Sequence, residues 1–542
     1  MSNVAALHEL VAGAVGGRDC VVQGDVRLSW AEVTDRTRRL AAVLADAGLG
    51  IHGEPGAGEP WESPHDHVAL YLYNSPAYLE GMLGAWKARA AGININYRYV
   101  ATELAYVLRD SRARAVIVGG TFVGTLAEVL PDLPDVRLVL QVDDGSGADL
   151  LPGAVRYEEA LAAATPRPPE GLSPDDLYVL YTGGTTGMPK GTLWRQEDFL
   201  ATCLGITGPA DEVVAAAGRR SHLATLPSAP LMHGAALWNA VSAWMAGGTI
   251  VLPADGSRLD PADILATVER ERVSSLQIVG DAFARPLLAE LARAHRPPDL
   301  SSLRFLVSGG AILSAPVKEA LVEAIPGLRI IDVLGSSETG RQAVSSRSNA
   351  NFAPERSAVV LAEDRARVLA PGDPELGWLA QAGQVPLGYL GDPDKTRATF
   401  PTIDGVRYAV AGDRVRWAAD GTIEFFGRDS VTINTGGEKV FAEEVEQALT
   451  SHPAVEDALV VGRPDPKWGQ AVVAVLARRT GVDRADVPGD DELRDHCRTA
   501  IAGYKVPKAF VWVDAVQRSP AGKPDYGWAR SVAEAAAADP VG

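Results

Sequence analysis

The chain is predicted to be an α/β protein, with a large N-terminal body of layered α/β subdomains followed by a small α+β domain. Three observations predict this. Short β-rich apolar runs alternate with Ala/Leu-rich helical stretches through most of the chain, the texture changes after about residue 375, and 542 residues are too many for one ordinary core.

The runs "HVALYLY", "ARAVIVGG", "VRLVLQV", "DLYVLYTGG", "GGTIVLP", "SSLQIVG", "LRFLVSGG" and "LRIIDVLG" read as strands. Between them lie helical patterns such as "AYLEGMLGAWKARAAG" and "SAPVKEALVEAI", so the sheets should be substantially parallel, with ligands at strand ends. Ile51 to His67, rich in Gly and Pro, reads as an exposed loop. Leu223 to Ala254 carries no Asp, Glu, Lys or Arg, but Pro227, Pro230, Gly247, Gly248 and Pro253 interrupt it. A membrane span needs about 20 continuous apolar residues. The stretch therefore reads as a buried helix around Ala235 to Met245, a turn, and a strand at Thr249 to Leu252.

Beyond the change in texture, "VRYAVAGDRVRWAADGTIEFFGRDS" reads as two antiparallel strands joined at Ala419-Asp420-Gly421. The remainder reads as helix, strand, helix, strand on a hinge. The division falls at residues 1–428 and 429–542, with the hinge near 428–430.

Fifty-one basic against 69 acidic residues give a net charge of -18, which argues against a general nucleic-acid binder or a polybasic membrane anchor. A small-molecule partner is expected. Cys20, Cys203 and Cys497 are scattered without metal-ligand spacing, and the first twenty residues do not read as a signal peptide, so a reducing cytoplasm fits. Neither composition nor spacing reports the oligomeric state, a homodimer included.

"YTGGTTGMPKGTLW", from Tyr181 to Trp194, is where chemistry enters. An apolar strand runs into a loop in which Thr182, Gly183, Gly184, Thr185, Thr186 and Gly187 precede Lys190 and Gly191. Glycine permits close backbone approach, amides and hydroxyls can wrap phosphate oxygens, and Lys190 adds charge, so a polyphosphate is the natural guest. The common nucleotide pattern G-x-x-x-x-G-K-[ST] fails, because Pro189 precedes Lys190 and Gly191 follows it. A flexible glycine-rich turn is the plain alternative.

The run "YTGGTTGMPKG" resembles the phosphate loop of the adenylate-forming superfamily, which includes acyl-CoA synthetases, peptide-synthetase adenylation domains and luciferases. Four more stretches follow in that family's order: "LGSSETG", "VAGDRVRWAADGTIEFFGRDS", "INTGGEKVFAEEVE" and "SPAGKPDYGWAR". Together they cover nearly the whole chain. "YTGGTTGMPKGTLWRQEDF", "NINYRYVATEL" and "NTGGEKVFAEEVE" look most like the fatty-acid and steroid-side-chain acyl-CoA ligases.

The resemblance implies ATP, Mg2+ and CoA, with an acid activated as its adenylate before transfer to the thiol. It implies that Thr182 to Thr186 and Lys190 cradle the β- and γ-phosphates, with Thr185 and Lys190 among the catalytic groups. Gly335 and Ser336 would lie against the nucleotide, Ser337 against the α-phosphate, and Glu338 would hold magnesium. Asp413 would accept from the ribose hydroxyls, Arg428 would reach ribose or phosphate, and Lys523 would stabilise charge as the carboxylate attacks. Gly436, Gly437 and Glu438 would line the thiol route after the small domain rotates. His233 would gate acid against thiol, with Trp238, Ser308, Gly309, Gly310 and Ala311 around the acid. Two departures stand out: Ser430 takes the hinge position where relatives commonly have Asp or Lys, and Leu334 takes one where many have an aromatic ring on adenine.

The acceptor stays open at this point. CoA is the leading choice, while a carrier protein or an amine, including nitrite activation for diazotising an arylamine, would use similar nucleotide motifs. A nucleotide-binding regulator without catalysis is a third reading, opposed by the intact Lys190, Glu338, Asp413, Arg428 and Lys523.

Overall fold

In the computed structural model, the described residues are 3–538 apart from 183–187, 221, 347–350, 356, 436–437, 466–467, 484–485, 502 and 520–521. The architecture is α/β, as expected. Every apolar run named above forms a strand.

Ala91–Asn94, His67–Tyr71, Ala113–Gly119, Leu138–Val142 and Val155–Arg156 form an all-parallel five-stranded sheet. The helix Pro76–Lys87 connects His67–Tyr71 to Ala91–Asn94. Ser75 caps it by accepting from the Tyr78 amide, and Pro76 supplies a preset φ at its start. Every residue from Ala77 to Lys87 in this helix is buried, so it is a core element.

A nine-stranded sheet stands beside it. Its six inner strands, Arg329–Ser336, Phe305–Gly309, Ser275–Ile278, Ala224–Pro227, Thr249–Leu252 and Asp19–Gln23, are mutually parallel, with antiparallel strands at both edges. The charge-free stretch resolves into the buried helix Gly234–Met245, a turn through Gly247, and the strand Thr249–Leu252, as read from its breakers. Among the described residues no helix is long and apolar enough to cross a membrane.

Leu177–Thr182 departs from the parallel pattern. It pairs antiparallel with Lys190–Arg195, which pairs in turn with Gly388–Tyr389. The loop reading of Ile51 to His67 holds for its middle, but its end turns inward, where His65, Asp66 and His67 are buried. The reason lies in local pairing: His67 Nε2 lies 2.8 Å from Ser63 Oγ, and His65 Nδ1 lies 2.7 Å from the Arg89 carbonyl.

The antiparallel pair expected around the Asp420-Gly421 turn is present as Asp413–Trp417 and Ile423–Arg428. Past the short turn Asp429–Val431 the chain enters another sheet. Here the expected helix, strand, helix, strand is too simple. Val455–Asp465 and Gly469–Arg478 form a long hairpin, Thr432–Thr435 and Glu438–Phe441 form a second, and helix Tyr526–Ala538 ends the described chain. The continuous apolar run "AVVAVLA" is buried on both faces, so it shows no alternation by which a separate strand is recognised.

Two asparagines at the ends of parallel strands join the layers. Asn94 is buried; its Nδ2 donates to the carbonyls of Tyr181 and Met232, both at 2.7 Å, and its Oδ1 accepts from the Tyr181 amide at 2.8 Å. Asn74 does the same for the neighbouring segment, donating to the Ala229 carbonyl and accepting from the Leu231 amide. Replacing Asn94 by Ala would leave three buried backbone groups unpaired, each worth about 1–3 kcal/mol. We expect Asn94→Ala to lose about 3 kcal/mol of stability in denaturant unfolding, whereas a loss below about 1 kcal/mol would show that water replaces the carboxamide.

Candidate active site

A cleft of about 2180 Å³ lies between the large body and the small C-terminal sheet. It exceeds the roughly 300–1,000 Å³ of an ordinary small-molecule pocket, so it has room for several reactants at once. Its walls are strand ends, the turns that follow them, and helix faces, among them that of Gly234–Met245.

The strand Leu177–Thr182 delivers Thr182 to the cleft. Gly183, Gly184, Thr185, Thr186 and Gly187 lie outside the described residues, as do Gly436 and Gly437. Lys190 begins the return strand but is not part of the cleft lining. Its ammonium is paired with Asp392, which also caps the helix Pro393–Thr399 by accepting from the Lys395 amide at 2.9 Å.

Leu334, Gly335, Ser336 and Ser337 line the cleft where two antiparallel strands meet. A Cβ on Gly335 would stand 2.0 Å from the Gly340 carbonyl oxygen, so only glycine permits this close turn. Ser336 and Thr339 are bonded to one another, and Trp194 Nε1 donates to the Ser337 carbonyl at 2.9 Å. Glu338 sits on this rigid corner, and its Oε1 accepts from the Tyr389 hydroxyl at 3.0 Å.

Asp413 and Arg428 are directly opposed on paired strands, with Arg428 Nε donating to Asp413 Oδ1 at 3.1 Å. The other carboxylate oxygen of Asp413 is buried without a partner among the described residues. Such an orphan acceptor on a cleft wall is a place for a ligand hydroxyl. Asp413 holds the Arg428 guanidinium above its ordinary pKa. Gly427, at φ +119°, would set a Cβ 2.3 Å from Glu443 Oε2, so glycine there lets the small domain's first helix bring its carboxylate in.

Lys523 reaches the same place from the other side. Its loop is tied by a backbone pair between Ser519 and Lys523, and Arg518, doubly bonded to Asp457, donates to the Gly522 carbonyl at 3.2 Å. Gly522 is buried against Val279 and Ala282 of the large body. The Lys523 side chain is open to the cleft yet ringed by protein. Loss of hydration lowers its pKa, with Arg428 acting in the same sense and Glu338 opposing. His233 shares this environment: burial, and then the charge of Lys523, push it down to about 3, so its imidazole is neutral at ordinary pH.

The remaining expected residues line the cleft too. Trp238 donates to the Tyr178 hydroxyl at 3.3 Å, and Gly309, Gly310 and Ala311 form a bare wall. Ser308 is fully buried and its hydroxyl accepts from the Gly280 amide at 3.1 Å, so it serves the backbone at the start of a helix. Tyr389, Asp392 and Glu443 were not read from the sequence. Asp392 carried a signal, because "GDPDKT" has the Asp-Pro start of a capped helix; nothing local announces Glu443.

Magnesium fits this corner in one way. Among the described residues no group of three or more His, Cys, Asp or Glu could hold a metal. Glu338 offers a carboxylate at the cleft with one oxygen fixed by Tyr389, which suits a hard ion that keeps most of its ligands as water and substrate phosphate.

Comparison with known proteins agrees with the geometry. Residues 9–385 match the family model for the AMP-binding enzyme, and residues 444–523 match the model for the AMP-binding enzyme C-terminal domain. The chain belongs to the AMP-binding enzyme family. It is 48% identical to the medium-chain acyl-CoA ligase Mig of Mycobacterium avium, over 98% of each chain. It is 40% identical to a medium/long-chain-fatty-acid–CoA/3-oxocholest-4-en-26-oate–CoA ligase of Mycobacterium tuberculosis, over 99% of this chain and 97% of the relative. Among solved structures it resembles the anthranilate CoA ligase AuaEII in complex with anthranoyl-AMP, with a TM-score of 0.82 at 23% identity over 99% of this chain and 98% of the other. That likeness carries the fold.

Glu443 provides a pH test of this arrangement. Burial raises its carboxyl to about 7 from an ordinary 4.5, against the opposing pull of Arg428. The folded state thus favours the protonated form, so the stability from this group is complete below about pH 4.5 and is lost as pH rises through 7. Glu443→Gln should melt like the parent near pH 4.5 and increasingly above it from pH 5 to 8. An offset that does not change with pH would contradict the assignment.

Proposed function

We propose that this protein is an AMP-forming acyl-CoA ligase whose acid is a medium- or long-chain fatty acid or a steroid-side-chain acid. A carboxylate oxygen attacks the α-phosphorus of ATP, the bond to pyrophosphate breaks, and the acyl-adenylate forms; the thiol of CoA then displaces AMP. The observation that carries the reading is the meeting of Lys523, Arg428, Glu338 and neutral His233 at one end of the cleft, beside the unpaired oxygen of Asp413. The identity of its full-length relatives supports the acid and thiol.

Each residue has a task in that chemistry. Asp413 accepts from the ribose, and its bond to Arg428 aims the guanidinium toward ribose or phosphate. Thr182 and residues 183–187 receive the β- and γ-phosphates. Lys190 contributes positive charge, shared with Asp392. Magnesium, held through Glu338, would neutralise phosphate charge. Ser337 lies toward the α-phosphate, and Leu334 gives adenine an aliphatic contact. Lys523 places its ammonium where negative charge gathers as the carboxylate attacks; partial dehydration makes that charge more effective. His233, uncharged, separates the acid's carboxylate from the thiol's approach, and Trp238 with Gly309, Gly310 and Ala311 shapes the acid channel.

The domains divide at residues 1–428 and 429–542. The seating of Gly522 on Val279 and Ala282 supports reading this arrangement as the one suited to adenylate formation. Rotation about residues 428–430 would withdraw Lys523 and bring residues 436–437 to the thiol route.

The deciding experiment is pyrophosphate release with magnesium and ATP across fatty, steroid-side-chain and aromatic acids, with and without CoA, with products identified by mass. Acid-dependent turnover indifferent to CoA would overturn the thiol as acceptor. We expect Lys523→Ala to slow adenylate formation about a hundredfold or more while sparing thioester formation from pre-made adenylate; equal loss in both halves would refute the domain exchange. Glu338→Ala should raise the magnesium needed for half-maximal nucleotide binding roughly ten- to a hundredfold, and an unchanged requirement would remove Glu338 from the metal.

A further inference from the structure

The helix Gly234–Met245 forms one wall of the acid channel, and its two faces differ. Ala236, Leu237, Ala240, Val241, Ala243, Trp244 and Met245 point into the core, while Gly234, Ala235, Trp238, Asn239 and Ser242 line the cleft. Of its twelve residues only Asn239 and Ser242 carry an amide or hydroxyl, and both lie on the cleft face. Three positions apart, their Cβ atoms stand about 5–6 Å from each other.

Three neighbouring polar groups of this wall are satisfied within the protein, whereas the buried Nε2 of His233 at the helix start, on the carboxylate side, has no partner among the described residues. Trp238 bonds Tyr178, Ser228 donates to the Gln277 carbonyl, and Gln277 donates to the Ile278 carbonyl. Asn239 differs: its Oδ1 is buried and takes no hydrogen bond from any described residue. The Ser242 hydroxyl stands beside it on the cleft face. A purely aliphatic acid lying along the helix would bury this pair against hydrocarbon, leaving polar groups without partners at a cost of about 1–3 kcal/mol each.

We infer that Asn239 and Ser242 form a polar subsite of the acid channel, taking a hydroxyl or keto group that the substrate carries well beyond its carboxylate. The inference rests on the ligase reading, in which the carboxylate lies by His233 and Lys523. At about 1.5 Å of rise per residue, Asn239 and Ser242 stand roughly 9 and 14 Å along the helix axis from His233. The substrate class is therefore an oxygenated acid of medium length or a fused-ring acid bearing a distal oxygen. An asparagine amide can donate or accept, and a hydroxyl can do both, so a hydroxyl and a ketone are each recognised. Selectivity arises because an acid without that oxygen leaves the site's own groups unpaired.

The test compares three acids on the full chain: decanoic, 10-hydroxydecanoic and 3-hydroxydecanoic. Each is read as kcat/KM for pyrophosphate release with ATP, and separately as CoA thioester by mass. The parent enzyme should favour 10-hydroxydecanoate over decanoate by about tenfold, the equivalent of 1.4 kcal/mol, and should gain nothing from the 3-hydroxyl. In the double variant Asn239→Leu, Ser242→Ala the preference should invert, with the hydroxy acid falling and decanoate rising; Ser242→Ala alone should fall between. An unchanged affinity for ATP in equilibrium titration shows that the variants are folded. A parent ratio near one, or a ratio that the variants leave unmoved, overturns the subsite even if thioester forms. Absence of thioester alongside the expected pyrophosphate ratios instead overturns the CoA reading and upholds the subsite.

Discussion

The arrangement of the active site depends on one buried carboxamide. Asn94 ends a strand of the five-stranded parallel sheet, yet it bonds both backbone groups of Tyr181 and the carbonyl of Met232. Tyr181 precedes the glycine-rich loop, and Met232 precedes His233. One side chain thus ties the strand that leads into the glycine-rich stretch to the turn before the helix Gly234–Met245 on the cleft wall. Unpaired backbone groups are costly in a dry interior, so this three-way bond is stiff as well as favourable. Asn74, one strand over, repeats the device for residues 229 and 231.

On that frame the cleft handles charge by concentration and by separation. Asp413, and less strongly Glu338, raise the pKa of Arg428, while burial and then Arg428 lower that of Lys523. Their field is stronger than it would be in bulk water because the cleft walls displace part of their hydration, most completely at the buried Asp413. Lys190 is kept apart, balanced by Asp392 on its own strand layer. His233 stays neutral, so the site holds a hydrogen-bonding imidazole beside a lysine without adding a second cation. These groups come from four distant parts of the chain, and the small domain supplies two of the contacts that close the set, Lys523 and Glu443.

Much of this was legible beforehand. The parallel layers follow from apolar runs spaced by helical patterns, and the charge-free stretch from 223 to 254 was read correctly because its prolines and glycines forbid one long helix. The expected site residues whose side chains are described line a single cleft, apart from Lys190. Its departure was invisible because Asp392 lies 202 positions away and becomes a neighbour only when Gly388–Tyr389 joins the sheet beside Leu193. The small domain is under-read because the run "AVVAVLA", buried on both faces, shows no period.

The sequence by itself determined the alternation of strands and helices, the order of the nucleotide-binding stretches, and the residue types available to ATP and an acid, since these depend on local spacing and side-chain chemistry. Tertiary structure alone decided which groups meet. It set Tyr389 on Glu338, Glu443 beside Gly427, and the Asn239 carboxamide oxygen without a partner among the described residues, next to Ser242 on the cleft face of an apolar helix. The reason is physical: a hydrogen bond or a shifted pKa depends on distances of a few ångströms and on the water that packing excludes. Those quantities belong to the folded chain and have no value along the sequence.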